Sequence, residues 1–141
     1  MSEALQIEHF PHSDFISTRW QDVDINGQIA SAAVYGFFDT VIQSYLATRG
    51  EIDPQEGEVV GFVVSSSCDF YASAGFTDLL QVGIRVERFA GSTVEYEVAL
   101  FDRTGQQLYA LGRVVQVFIE RKTGKPASFP APLEKALSAL N

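Results

Sequence analysis

Residues 31–50, SAAVYGFFDTVIQSYLATRG, constrain the fold more than any other stretch of the chain. Val34, Phe37, Phe38, Val41, Ile42, Tyr45 and Leu46 recur at the spacing of one helical face. Ser31 is expected as the N-cap, a contact worth about 1 kcal/mol, and Gly50 as a left-handed stop. The opposite side carries Gly36, Asp39, Thr40, Gln43 and Ser44, small or polar but hardly charged. A helix facing water would show more Lys and Glu there, so this one is expected to be covered on more than one side.

The rest of the chain reads mainly as strand. Ser13–Trp20 is a short extended segment before the helix, and residues 51–57 (EIDPQEG) are a loop. Val59–Phe70 is rich in β-branched and aromatic residues. Val82, Ile84 and Val86 alternate with more polar neighbours, as do Val94, Tyr96, Val98 and Leu100. Residues 90–92 (AGS) and 102–105 (DRTG) have the composition of hairpin turns. Leu108–Glu120 is apolar on both faces in its second half. One face can take the helix; a partner subunit is the simplest cover for the other. Pro126, Pro130 and Pro132 lead into a short amphipathic helix over Leu133–Leu140. Strand, long helix, then four strands joined by turns predict an α+β fold, a curved antiparallel sheet packed on one helix. The 141 residues are expected to form a single domain.

Composition narrows the functional classes. A net charge of −8 speaks against nucleic acid as a partner, since phosphate binding needs a basic surface. No apolar run approaches the ~20 residues of a membrane span, and MSEALQIEHF lacks the basic and apolar regions of a secretory signal. One cysteine cannot form an internal disulfide, which fits a cytoplasmic setting. Cys68 lies in a strand pattern with no histidine near it, so a buried thiol is expected rather than a nucleophile. The two histidines, His9 and His12, are expected to be structural or solvated.

The chemistry is concentrated between Thr18 and Ala33. DVDINGQI, from Asp22, opens like a calcium-binding EF-hand loop, but its ninth and twelfth positions are Ala30 and Ala33, so the bidentate carboxylate is missing and no metal is expected. Two readings remain. In one, the acidic residues merely satisfy free N–H groups ahead of the helix and complement its dipole. In the other, a locally extended segment puts Asp22 and Asp24 on one side, roughly 7 Å apart. A carboxylate at the mouth of a buried helix can attack a carbonyl or activate a water, while helix-start amides hold the oxyanion. Those parts suffice for acyl transfer with no cofactor and no histidine.

Arg19-Trp20-x-Asp22-x-Asp24-x-x-Gly27, followed by Tyr35 and Phe37-Phe38-Asp39, resembles the signature of hotdog-fold acyl-CoA thioesterases of the 4-hydroxybenzoyl-CoA thioesterase type. Phe70-Tyr71-x-x-Ala74, Asp78-x-Leu80 and Arg88-x-x-Gly91-Ser92 extend the resemblance over nearly the whole chain. It implies a hotdog fold, five strands wrapped around a central helix, and hydrolysis of an acyl-CoA thioester. Asp24 stands where the family has its nucleophile or general base. Gly27, Gln28, Tyr35 and Asp39 become candidates for oxyanion or substrate contacts, with Asp39 expected to be structural or hydrogen-bonding. Arg88 and Ser92 become candidates for the CoA nucleotide. The resemblance also implies a homodimer or homotetramer with active sites at the interface. Gln28 replaces a common His, Ser31 and Ala32 fall near the usual Asn pair, and Ser73 and Thr77 replace a Pro and a Gly. These departures keep open a non-catalytic protein that binds acyl groups or other small ligands. A hotdog dehydratase would need a His–Asp pair that the sequence is not expected to place.

Overall fold

The computed structural model describes residues 5–76 and 78–141. The strands are β1 (His12–Ser17), β2 (Val59–Phe70), β3 (Leu79–Ala90), β4 (Thr93–Phe101) and β5 (Leu108–Glu120). Helix α1 (Ser31–Thr48) lies between β1 and β2, and helix α2 (Ala131–Leu140) follows β5. All neighbours are antiparallel, in the order β1-β3-β4-β5-β2. The two tight turns make β3, β4 and β5 a meander. The α1 crossing separates β1 from β2, and they take opposite edges of the sheet.

Alternation divides each central strand between the two sheet faces. Val82, Ile84, Tyr96, Val98 and Phe118 are fully buried and share one core with Phe38, Val41, Ile42 and Leu46 of α1. Gly112 sets how closely the helix approaches. A Cβ there would lie 2.7 Å from the Ser67 carbonyl oxygen and 3.3 Å from Phe38 Cε2. Helix α2 completes the core with Leu133, Leu137 and Leu140. It is tied down where Tyr45 Oη donates to the Ala136 carbonyl at 2.7 Å and Asn141 Nδ2 donates to the Val86 carbonyl at 3.0 Å.

Several expectations about the helix change. Ala30, not Ser31, is the N-cap of α1, and no side chain caps the helix. The left-handed residue after the helix is Glu51 (φ 55°), not Gly50. Gly50 is instead a packing glycine, since a Cβ there would lie 2.9 Å from the Leu46 carbonyl oxygen and 3.2 Å from Leu133 Cδ1. Within one chain α1 is covered on one side only, because Tyr35, Gly36, Asp39, Thr40 and Ser44 remain exposed.

The second face of the sheet is partly covered by the chain itself. Phe10 lies against Gly83, where a Cβ would come within 2.7 Å of its ring. Leu5, Ile7, Leu108 and Leu111 gather around Phe10, Ala99 and Phe101 in a small second cluster. Further along, Val115, Val117 and Ile119 stay half-buried. Between these regions lies a belt of ion pairs: Arg85 with Glu97, Arg88 with Glu95, and Arg113 with Glu87 at 3.0 Å and Glu95 at 3.5 Å. Edge strand β2 is the barest element, with Phe62 at 55% and Val64 at 60% exposure beside a bulge at Val63–Ser65. Among the described residues no helix is long and apolar enough to cross a membrane.

Candidate active site

The segment between β1 and α1 is not extended. Trp20–Asp22 form one 3-10 turn, which separates the roles of the two aspartates. Asp22 is buried, with 3% exposure. Its carboxylate accepts from the Arg19 amide at 2.8 Å and from Arg19 Nη2 at 3.0 Å and Nε at 3.4 Å. The guanidinium hydrogen bond holds the Asp22 carboxyl below its ordinary range, against the opposing effect of burial. The Asp22 carbonyl also accepts from Ala30 N at 2.8 Å, which fixes the chain entering α1. Asp22 is thus a structural anchor.

Asp24 occupies the loop that follows. Val23 and Ile29 bridge the base of that loop, and Asp24 N donates to the Gln28 carbonyl at 2.7 Å. Gly27 N donates to the Asp24 carbonyl at 3.0 Å, with Gly27 at φ 75°. That left-handed backbone is the reason glycine serves here. Asp24 Oδ1 accepts from Asn26 N at 2.9 Å and Gln28 N at 3.0 Å. The carboxylate is therefore held in place by its own loop.

A second segment closes the site. Ile29 N donates to the Ala74 carbonyl at 2.9 Å, Gln28 bridges to Gly75, and Asp78 Oδ2 accepts from Gly75 N at 2.9 Å. Between the two segments, the start of α1 and the sheet lies a cavity of about 300 Å³. Asp24, Asn26, Gln28, Ser31 and Ser73 give it a polar side, and Ile29, Val34, Phe70, Leu100 and Ala110 an apolar one. Among the described residues Asp24 is the one charged residue in that lining. Ser31 and Ala32 begin an uncapped helix, so their N–H groups are unsatisfied by the helix itself. A carboxylate, helix-start amides free of helical partners and an apolar recess are parts that acyl transfer can use.

The remaining candidates are dispersed. Gln28 lines the cavity, and Gly27 shapes the loop behind it. Tyr35 and Asp39 line a different cavity of about 310 Å³, between α1 and β2. Arg88 is paired with Glu95 on the outer sheet face, and the Ser92 carbonyl accepts from Phe118 N at 2.8 Å. Leu100, in the Asp24 cavity, pairs with Val82, six residues from Arg88 along β3. That separation is roughly 20 Å of strand, so the chain's own Arg88 is not beside its own Asp24. Thr77 lies outside the described residues.

Sequence reasoning passed over Asn26, Ser31 and Leu100 as lining residues. Ser31 was assigned to capping, and nothing local distinguishes Leu100 from the other inward residues of β4. His12 Nε2 lies 3.2 Å from Asp14 Oδ2. Its place on edge strand β1, with the His12 ring 4.7 Å from that of Tyr45, keeps it out of the Asp24 cavity. Burial and the neighbouring Asp69 push the half-buried Cys68 thiol up to about 11, which leaves it protonated at neutral pH. Among the described residues no group of three His, Cys, Asp or Glu side chains could hold a metal ion.

Residues 18–137 match the Thioesterase-like superfamily, and the chain belongs to it. It is a hotdog domain of the thioesterase class. The crystal structure of the PA5185 protein from Pseudomonas aeruginosa strain PAO1 is similar at 45% identity and a TM-score of 0.94, over 96% of this chain and 95% of that one. A 1,4-dihydroxy-2-naphthoyl-CoA thioesterase from Synechocystis matches in fold at 20% identity and a TM-score of 0.80, covering 89% of this chain and 94% of that one. A thioesterase from Thermus thermophilus, complexed with coenzyme A and Zn, does so at 24% identity and 0.74, over 94% and 96%. No curated protein shows a significant sequence match.

Proposed function

We propose that the chain hydrolyses acyl-CoA thioesters, with Asp24 as nucleophile or general base. The observation that carries this is the shared cavity of Asp24 and the uncapped start of α1. With Oδ1 engaged by two loop amides, Oδ2 is the oxygen left to act on the thioester carbonyl or on a water. As negative charge develops on the carbonyl oxygen, the amides of Ser31 and Ala32 supply donors without reorganising. Among the described lining residues Asp24 is the one acid, so the proton that the departing CoA thiolate needs comes from the water consumed, by way of Asp24 on the general-base route. Gln28 offers an amide at the mouth to orient the substrate.

The open side of α1 and the bare edge of β2 support a homodimer, because a long apolar edge strand is an unpaired hydrogen-bonding template. Such an assembly gives Arg88 and Ser92 a part in CoA binding, through a second copy rather than beside the chain's own Asp24.

The test is thiol release from short, long and aromatic acyl-CoAs by the parent protein and by Asp24→Asn. Asparagine keeps an oxygen acceptor for the loop amides but loses the charge, so a drop on the order of a hundredfold or more is expected with the fold intact. No release from any substrate sinks the hydrolase reading, and full activity in Asp24→Asn sinks the role of that residue. The second reading is a non-catalytic acyl-binding protein. It is favoured by the commitment of Asp24 Oδ1 to its own loop and by a cavity without histidine, and it predicts acyl-CoA binding without release.

A further inference from the structure

Gly36 sits in the second turn of α1, where glycine costs roughly 0.5–1 kcal/mol relative to alanine. Nothing among the described residues requires it. Its φ is not left-handed, and a Cβ built there meets no described atom within 4 Å beyond its chain neighbours and its own helix backbone. This contrasts with Gly50, Gly83 and Gly112, where a Cβ would strike a neighbour. What the missing side chain leaves open is the second cavity, about 310 Å³, walled by Tyr35, Val63, Val114 and Gly36 itself, with Asp39 and Ser66 also on its lining.

This cavity continues the line of the first. Phe70, which lines the Asp24 cavity, pairs with Ala110 across β2 and β5, and Ser66, which lines the second cavity, pairs with Val114. The two spaces are therefore successive along the same pair of strands and the same helix. An edge-to-face aromatic pair reaches from one lining to the other, Phe70 of the first and Tyr35 of the second, at 6.3 Å between centroids. From Ser31 to Gly36 the helix advances about 8 Å.

We infer that Gly36 is a specificity-determining residue: it keeps the second cavity open for the distal part of an extended aliphatic acyl group whose carbonyl lies beside Asp24. This rests on the acyl-CoA reading and deepens it. The Tyr35–Phe70 pair is the divide that the chain passes. Short acyl groups end before it, and longer ones gain apolar cover from Val63, Val114 and the aromatic rings. A side chain at position 36 fills that space without disturbing the Asp24 loop.

The test separates binding from hydrolysis. S-butyl-CoA and S-decyl-CoA are thioethers that cannot be hydrolysed, and their affinities are measured by titration calorimetry for the parent, Gly36→Ala and Gly36→Leu. The parent is expected to prefer the decyl compound. In Gly36→Leu that preference falls by about tenfold, the effect of roughly two methylenes losing their cover, while butyl binding is unchanged. Gly36→Ala gives a smaller loss and, as a better helix former, a raised melting temperature. Sedimentation of the same variants reports the oligomeric state. The inference is overturned if the parent binds the two compounds equally or binds neither, or if Gly36→Leu weakens both alike. It is also overturned if Gly36→Leu changes the assembly, since the glycine would then serve subunit approach. A lost decyl preference in a protein that releases no thiol leaves this inference standing and sinks the hydrolase reading alone.

Discussion

Gln116 and Tyr96 form the one buried polar pair among the largest fully enclosed side chains of the core. Tyr96 Oη donates to Gln116 Oε1 at 2.8 Å, and Gln116 Nε2 has no partner among the described residues. Gly61 permits this, since a Cβ there would sit 2.5 Å from Nε2. Removing one member is expected to cost more than removing both. Tyr96→Phe strips the carbonyl of a side chain already short of one bond, and Gln116→Met orphans the Tyr96 hydroxyl. Each leaves a buried polar atom unpaired, at about 1–3 kcal/mol. For a chain of this size that lowers the melting temperature by about 3–10 °C. The double variant replaces both groups by apolar ones of similar shape and is expected within about 1 kcal/mol of the parent, which makes the coupling at least as large as either single effect and close to their sum when the double variant matches the parent. Urea unfolding followed by far-UV circular dichroism, at fixed protein concentration and unchanged m, gives the three differences. A double variant as unstable as the sum of the singles refutes the reasoning, because the pair would then contribute nothing as a pair.

Three further outcomes follow from the geometry. The Asp22 carboxyl is held low when folded, so its contribution to stability is fully present above the unfolded value of about 3.9 and is lost as pH falls through the folded value beneath it. Acid titration of Asp22→Asn should lack that part of the pH dependence; an identical acid profile would count against the anchor role. Cys68 is expected to react with iodoacetamide far more slowly in the native protein than in urea at neutral pH, because its thiol is pushed up to about 11; equal rates would contradict this. Gly112→Ala is expected to destabilise by about 1–3 kcal/mol through the contact with the Ser67 carbonyl and Phe38, read as a lower urea midpoint; an unchanged midpoint would mean the sheet yields freely there.

How much was legible depended on the range of the interaction. The periodicity of Val34 through Leu46 and the alternation in β3 and β4 are local patterns with one geometric solution, and they emerged within a few residues of their observed bounds. The Asp24 loop was visible as a composition, but its hydrogen bonds were not. Whether Asp22 or Asp24 faces the cavity depends on a 3-10 turn pinned by Arg19, which removes the extended geometry that would have placed the two acids together. Ser31 misled because a serine ahead of a helical pattern normally caps it, whereas here the chain enters through a bond from Ala30 N to the Asp22 carbonyl. Tyr35 and Asp39 line a different cavity from Asp24, with strand residues such as Phe70 and Ser66 more than twenty residues away along the chain, and no local spacing encodes that division.

The outer face of the sheet has a consequence for crowding two such sheets together. The N-terminal segment seals the end near the turn between β4 and β5, where Ile7 N donates to the Gly105 carbonyl at 2.8 Å. The ion-pair belt fills the middle with charge already neutralised, which leaves Val115, Val117 and Ile119 at the far end as the greasiest ground. Two copies laid face to face there would have to slide off-centre, overlapping at those valines and that isoleucine while the sealed ends jut past one another. In such a stack the segment from Leu5 to Phe10 would limit the overlap, because it already occupies the opposite end of that face.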